Sequence, residues 1–373
     1  MANKNLTNAR RVKNDEFYTQ YSDIQKEIEA YLEYNPDTFR GKVVYCNCDD
    51  PFESNFFRYF VLNFNKLGLK RLITTSYKPS LVANTQLGLF GDDKTLAKAK
   101  GRPKVTANKF IINEVRDIDG DGEFNLKDVA KQLKENKHNE WTPLEGDGDF
   151  RSDECVGLLK QSDIVVTNPP FSLFREYLKQ LMEYKKKFVI IGSMNALKYA
   201  NIFPLIKNNK IWLGVSNGAK TFIKPDKTEQ KMGNTCWFTN IDHGRRHQPL
   251  PLMTKAELIK FVTKKPFLKY DNYDAIEVSQ VKNIPSDYKG AIGVPISFLD
   301  KYNPEQFEII GLGQGNLYRE LTPKGLNKEF VNNYYQNGGT GSISEDHPIL
   351  GYYNEDGKAT IPYMRIIIKH KTK

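Results

Sequence analysis

The stretch Ile164-Val165-Val166-Thr167-Asn168-Pro169-Pro170-Phe171 constrains this chain more than any other. An apolar, β-branched run leads directly into two consecutive prolines, which have no N–H to give to a strand ladder. The strand must therefore stop at a rigid turn. Beyond the turn, Phe171, Phe174, Leu178 and Leu181 recur at helical spacing. The same alternation appears elsewhere. Residues 42–46, 71–75, 188–191 and 211–215 read as short buried strands. Residues 51–67 and 152–160 read as helices, with Pro51 acceptable in a first helical turn. Strands alternating with helices predict an α/β chain with a mainly parallel sheet covered on both faces. Ligands on such sheets sit beyond the carboxyl ends of the strands.

A length of 373 residues allows one large domain or two. Residues 78–145 are rich in Lys, Asp, Gly and Asn and read as an insertion. From about residue 215 turn signals multiply and periodic helices become scarce. The predicted division is a catalytic domain over 1–215 with that insertion, followed by a β-rich region over 216–373. A mean hydropathy of −0.58 and the lack of an apolar run near 18 residues exclude a membrane-spanning helix. The first residues lack the apolar stretch of a secretory signal, and four cysteines in so long a chain are no disulfide framework. These features predict a cytoplasmic protein. The formal charge of +10 suits a polyanionic partner and equally suits plain solubility.

The proline turn fixes the Asn168 side chain and the Pro169 carbonyl near one point. Two oxygens there can accept both N–H bonds of one amino group, and Phe171 can offer its face to a planar ring. An exocyclic amine such as adenine N6 needs this, because its lone pair is delocalised into the ring. Acceptors on both N–H bonds free the lone pair and stabilise the positive charge that develops during attack. A base reaches such a pocket only by leaving its duplex, a cost that stacking on Phe171 partly offsets. The electrophile would be a sulfonium methyl. Two other readings fit the same residues: a kinked strand exit with Asn168 as a helix cap, and methylation of another amide or amine, such as a glutamine side chain.

Gly146-Asp147-Gly148-Asp149-Phe150 precedes the motif by one short helix. A carboxylate followed by an aromatic at a glycine-rich turn suits an adenosine ring; an ordinary Asp-Gly turn is the alternative. After the first strand stands Asn47-Cys48-Asp49-Asp50-Pro51, without the glycines of the usual cofactor loop. Asp49 or Asp50 can bind polar cofactor groups, or Asp50 can simply cap the helix that follows.

Taken together, these segments resemble the EcoRI-type adenine-specific DNA methyltransferases, the modification partners of restriction systems. The resemblance runs through DEFYTQY (residues 15–21), VVYCNCDDP (43–51), GDGDFRS (146–152) and SDIVVTNPPFSLFREYL (162–178). It continues in KIWLGV (210–215), YDNYDAI (270–276), GVPISFL (293–299) and NPEQFE (303–308). It implies a Rossmann-like S-adenosylmethionine-dependent fold with an insertion and a β-rich C-terminal recognition region. It implies site-specific N6 methylation of a flipped adenine in double-stranded DNA by a bacterial or phage-encoded monomer. By the same resemblance Asn168, Pro169, Pro170 and Phe171 are catalytic. Phe17, Tyr18 and Thr19, with Asn47, Asp49, Asp50, Asp149 and Phe150, bind the cofactor. Thr75-Ser76 stands where many methyltransferases place an acidic residue on the ribose. An RNA or protein-glutamine methyltransferase and a non-catalytic DNA-binding module are the competing functions.

Other segments stand outside that resemblance. Gln86-Leu87-Gly88-Leu89-Phe90 resembles a peptide that docks on the bacterial DNA sliding clamp. Residues 117–128 have the oxygen spacing of a calcium loop, with Asp128 at its last position; an Asp-Gly hairpin is the alternative. Lys100-Gly101-Arg102-Pro103-Lys104 resembles half of a minor-groove hook. Arg365, Lys369, Lys371 and Lys373 read as phosphate contacts or a solubilising tail. No metal site is expected: Cys46 and Cys48 have no second cysteine pair, and His243 and His247 share a turn-like stretch read as a surface loop.

Overall fold

The computed structural model describes residues 18–48, 54–77, 107–118, 120, 124–135, 138–224, 228–321 and 323–371. They divide into two compact units. The first holds the described residues up to Ala196 together with Leu213–His243; the second holds Leu197–Trp212 and the residues from Gly244 onward.

The first unit is built on the strands β1 (Val43–Cys46), β2 (Arg71–Thr75), β3 (Asn108–Ile112), β4 (Glu140–Pro143), β5 (Ile164–Thr167), β6 (Lys187–Ser193), β8 (Gly218–Ile223) and β9 (Glu229–Thr239), with Leu213 from the two-residue strand β7 (Trp212–Leu213). They form a nine-stranded sheet in the order β4-β3-β2-β1-β5-β6-β9-β7, with β8 paired to β9. The centre is parallel: β1 pairs with β2 and β5, and β5 pairs with β6. Every residue of β1 and β5 is buried, as expected of strands covered on both faces.

The sheet as a whole is mixed rather than mainly parallel. β3 and β4, from the stretch read as an insertion, extend it antiparallel beyond β2, and β9 runs antiparallel to β6. β9 is hard to read from sequence because its first half, Glu229–Asn234, is polar and largely exposed. Only its second half, Thr235–Thr239, is buried.

Helices cover the sheet because their apolar residues recur at helical spacing. Ile24, Ile28 and Tyr31 of α1 (Tyr21–Tyr34), Phe56, Phe57 and Phe60 of α2 (Asn55–Leu62), and Val129 and Leu133 of α3 (Leu126–Glu135) share one core with Val44, Cys46, Leu72 and Val166. Side chains alternate along a strand, so Tyr45 points to the opposite face. There it meets Cys155 of α4 (Asp153–Gln161). α5 (Phe174–Glu183) packs on β6. Ser152 caps α4 by accepting from the Cys155 N–H at 3.3 Å. No described helix is long and apolar enough to cross a membrane.

The second unit contains β10 (Ala275–Glu277), β11 (Ala291–Pro295), β12 (Phe307–Leu312), a hairpin of β13 (Tyr352–Tyr353) and β14 (Ala359–Thr360), and β15 (Arg365–His370). Its four-stranded sheet has the order β10-β11-β15-β12. Arg365, read from sequence as a phosphate contact or tail residue, is instead part of this core. Its side chain is 10 % exposed and donates to Glu277 at 2.6 Å. An ion pair held by two parallel N–H bonds is a fixed structural contact.

Candidate active site

β1 and β5 are neighbours, yet the chain leaves β1 toward β2 on one side and β5 toward β6 on the other. Connections therefore diverge between β1 and β5, and the crevice at their carboxyl ends is where such a sheet receives a ligand. Asn47 ends β1 and Asn168 ends β5. The two sequence-derived candidates thus stand at neighbouring strand ends where the connections diverge.

The motif is built as its prolines require. The ladder between β5 and β6 ends at Thr167 paired with Ile190. Asn168 is 8 % exposed, Pro169 is buried, and Pro170 and Phe171 are half-buried. A 3-10 turn over Phe171–Leu173, closed by the Leu173 N–H donating to the Pro170 carbonyl at 3.0 Å, feeds directly into α5. Phe171 meets the buried Phe222 of β8 edge to face, with ring centroids 6.4 Å apart.

β8 also brings in the N-terminal segment. Tyr18 and Ile223 exchange backbone hydrogen bonds at 2.7 and 3.0 Å, one residue beyond Phe222. The Thr19 carbonyl accepts from the Asn55 amide at 2.8 Å, which ties the segment to the start of α2. The Thr19 hydroxyl is buried and has no hydrogen-bond partner among the described residues.

The Gly146–Phe150 turn reaches the same end of the sheet. Gly148 has φ +78°, and a Cβ there would lie 1.9 Å from the Ser76 carbonyl oxygen, just past β2. Glycine lets this turn lie against the strand end. Phe150 packs edge to face on Tyr177 of α5 at 5.0 Å. The Asp149 carboxylate accepts from the Arg151 backbone N–H at 2.9 Å and from its guanidinium at 2.6 Å. Those bonds hold its pKa below the usual carboxylate range against the opposing effect of burial. Arg151 also reaches Glu176 at 3.1 Å. Thr75 and Ser76, at the end of β2 and just past it, are engaged within the fold. The Thr75 hydroxyl lies 2.9 Å from the Tyr45 phenol, and the Ser76 hydroxyl accepts from the Asn108 N–H at 2.8 Å.

Two residues to which the sequence assigned no role bond Asn47. The Tyr177 phenol donates to the Asn47 side-chain oxygen, and the Thr167 hydroxyl donates to the Asn47 backbone carbonyl. Burial pushes the Tyr177 phenol well above its ordinary pKa, so it stays a proton donor. The available signal was a polar tip inside an apolar stripe: Tyr177 shares the buried face of α5 with Phe174, Leu178 and Leu181.

Phe17, Asp49 and Asp50 lie outside the described residues, as do Gln86–Phe90 and Lys100–Lys104. So do positions 119 and 121–123 of the calcium-like loop. In the rest of that loop, Asp128 is buried and its carboxylate accepts from the Ile118 and Asn125 N–H groups at 3.0 and 2.9 Å. His243 is not on a surface loop: it is 3 % exposed, edge-on to Tyr31 at 5.5 Å, with Nε2 2.9 Å from the Leu213 carbonyl.

A mixed α/β sheet with Asn-Pro-Pro-Phe at the end of a central strand, where the strand order reverses, suits as a class an enzyme that methylates an amino group. The model of the family described as adenine-specific methyltransferase EcoRI matches residues 5–371, and the chain belongs to that family. It is an adenine-specific type II DNA methyltransferase. The type II methyltransferase M.EcoRI of Escherichia coli is 44% identical in an alignment that covers 87% of this chain and 93% of that protein. M.MpnI of Mycoplasma pneumoniae is 38% identical over 81% of this chain and 83% of its own length. M.MgeORF184P of Mycoplasma genitalium is 34% identical over 81% and 84%. No solved structure matches the chain.

Proposed function

We propose that this enzyme transfers a methyl group from S-adenosylmethionine to N6 of an adenine flipped out of double-stranded DNA, at a specific site. One observation carries this reading: Asn168 and Asn47 stand at the ends of the neighbouring strands β5 and β1, where the strand order reverses. The chain offers groups that fit the cofactor. Asn47 stands at the strand end, Phe150 is held beside it through Tyr177, and the buried Thr19 hydroxyl lacks a described partner. With Tyr18, Asp149 and the undescribed Phe17, Asp49 and Asp50, these residues would hold S-adenosylmethionine, in a Rossmann-like arrangement. When bound, it supplies an electrophilic methyl on a sulfonium.

The work of the chain is to prepare the amine. Asn168 Oδ1 and the Pro169 carbonyl accept its two N–H bonds. The nitrogen lone pair is then drawn out of the ring, and the developing positive charge meets oxygens already in place. Pro170 keeps the turn rigid, and Phe171, half-buried and braced by Phe222, offers a ring to the flipped base. No general base is needed before transfer, because the proton leaves afterwards to water. Asn168→Ala should lose methylation by at least ~100-fold, the scale of losing an oxyanion-type group. Calorimetric binding of S-adenosylmethionine should persist. Near-normal turnover in that variant would refute the role of Asn168.

Within residues 216–373, the part beyond β8 and β9 would supply target recognition, with the enzyme acting as a monomer in a bacterial cytoplasm. The peptide Gln86–Phe90 would dock on a sliding clamp through Leu89 and Phe90. A pull-down with purified clamp tests this: retention should fall when Leu89 and Phe90 are both replaced by alanine, and equal retention would remove the idea.

A further inference from the structure

We propose that Tyr177 and Thr167 are positioning residues that lock the cofactor side of the crevice to the catalytic side. This rests on the proposed use of S-adenosylmethionine at Asn47. Both side chains are fully buried, and both hydroxyls donate to the same residue. Thr167 is the last residue of β5, immediately before Asn168, and its hydroxyl crosses to the Asn47 carbonyl at the end of β1. The crossing occurs where the strand order reverses, so it spans the mouth of the crevice at its base. Tyr177 approaches from α5, the helix that the Asn-Pro-Pro-Phe turn itself begins.

The two bonds do different things. A neutral phenol beside an amide could donate to its oxygen or accept from its nitrogen. Here it donates to Oδ1, so the NH2 end of Asn47 is turned away from Tyr177. Asn47 then meets a ligand as a donor and suits the carboxylate or ribose oxygens of the cofactor. The Thr167 bond fixes the backbone instead. It is needed there because the next residue, Cys48, takes a left-handed conformation with φ 69°, which L residues adopt rarely. Asn47 is therefore set by its side chain through Tyr177 and by its main chain through Thr167. A shift of the Asn47 main chain would move the residue before Asn168 as well, whereas a turn of its side chain would not.

Isosteric variants separate the two bonds. Tyr177→Phe should raise the KM and the calorimetric Kd for S-adenosylmethionine roughly three- to tenfold, the scale of one net hydrogen bond. Its KM for DNA and its kcat at saturating cofactor should stay within about twofold. Thr167→Val should raise KM for the cofactor and lower kcat together, because it loosens both sides, and Thr167→Ser, which keeps the hydroxyl, should restore both. A merely structural role predicts instead a lower Tm with unchanged cofactor affinity in Tyr177→Phe, and that result overturns the proposal. If Tyr177→Phe fails to fold, the Thr167 pair decides: equal kinetics in the valine and serine variants overturns it too. A wild-type enzyme that does not bind S-adenosylmethionine would instead defeat the reading of the cofactor on which the tie rests.

Discussion

At the residue scale, several positions admit one side chain for a stated physical reason. Gly148 is the clearest. Its φ of +78° and the 1.9 Å approach of the Ser76 oxygen to any added Cβ leave no room for alanine. Gly148→Ala should cost about 1–3 kcal/mol from the backbone conformation, with more from the clash. It should also weaken cofactor binding, because Asp149 and Phe150, the proposed cofactor contacts, follow directly; urea unfolding and calorimetry measure the two effects. The buried tyrosines make a second case. Burial raises Tyr31, Tyr45 and Tyr177 well above the ordinary value of 10.0. In the folded chain they keep protons that the unfolded chain releases near pH 10. Their contribution is thus complete below about pH 10 and is lost as pH rises further. Tyrosinate absorbance from these three should appear only together with loss of the near-ultraviolet circular dichroism signal. Tyrosinate that forms fully before unfolding would contradict the burial.

At the element scale, β5 was legible because its apolar run, the turn that ends it and the helix that follows coincide. Ile164–Thr167 is apolar, the prolines end it, and the helix stripe follows, so motif and fold are one signal. Helices were legible as far as their stripes went, as with the aromatic α2. β9 was not, because half of it is polar and the neighbour that buries the other half, β6, is distant in sequence. Arg365 was misread for a similar reason: a terminal basic residue looks like a tail until Glu277, 88 positions away, is placed against it. Long-range pairing also explains Glu27 in α1. This carboxylate is fully buried and accepts from the Val215 N–H at 2.9 Å, from the Ser216 N–H and hydroxyl at 2.7 Å, and from the Tyr31 phenol at 2.9 Å. It pins α1, and with it the Tyr18–Thr19 segment, to the turn before β8. Glu27→Ala leaves those donors buried without an acceptor and should destabilise by about 2–5 kcal/mol. A change below about 1 kcal/mol by urea unfolding would show that the turn finds other partners.

At the scale of the whole molecule, the +10 charge becomes informative in an adenine-specific DNA methyltransferase. Charge alone is equally consistent with solubility. In a DNA methyltransferase it predicts affinity that rests on displaced counterions, and so falls at least ~100-fold as salt rises from about 50 to about 200 mM. Fluorescence anisotropy with a duplex measures this, and a flat salt dependence would mean that the basic residues do not meet phosphates. The central claim is that the crevice between β1 and β5 delivers a methyl group to the amino nitrogen of adenine in DNA. Incubation of the purified chain with S-adenosylmethionine and duplex DNA, followed by nucleoside digestion and mass analysis, tests that claim most directly. N6-methyladenine at one recurring sequence, absent with Asn168→Ala, is the predicted result. Methyl groups on cytosine, on RNA or on protein, with adenine unmodified, would contradict it.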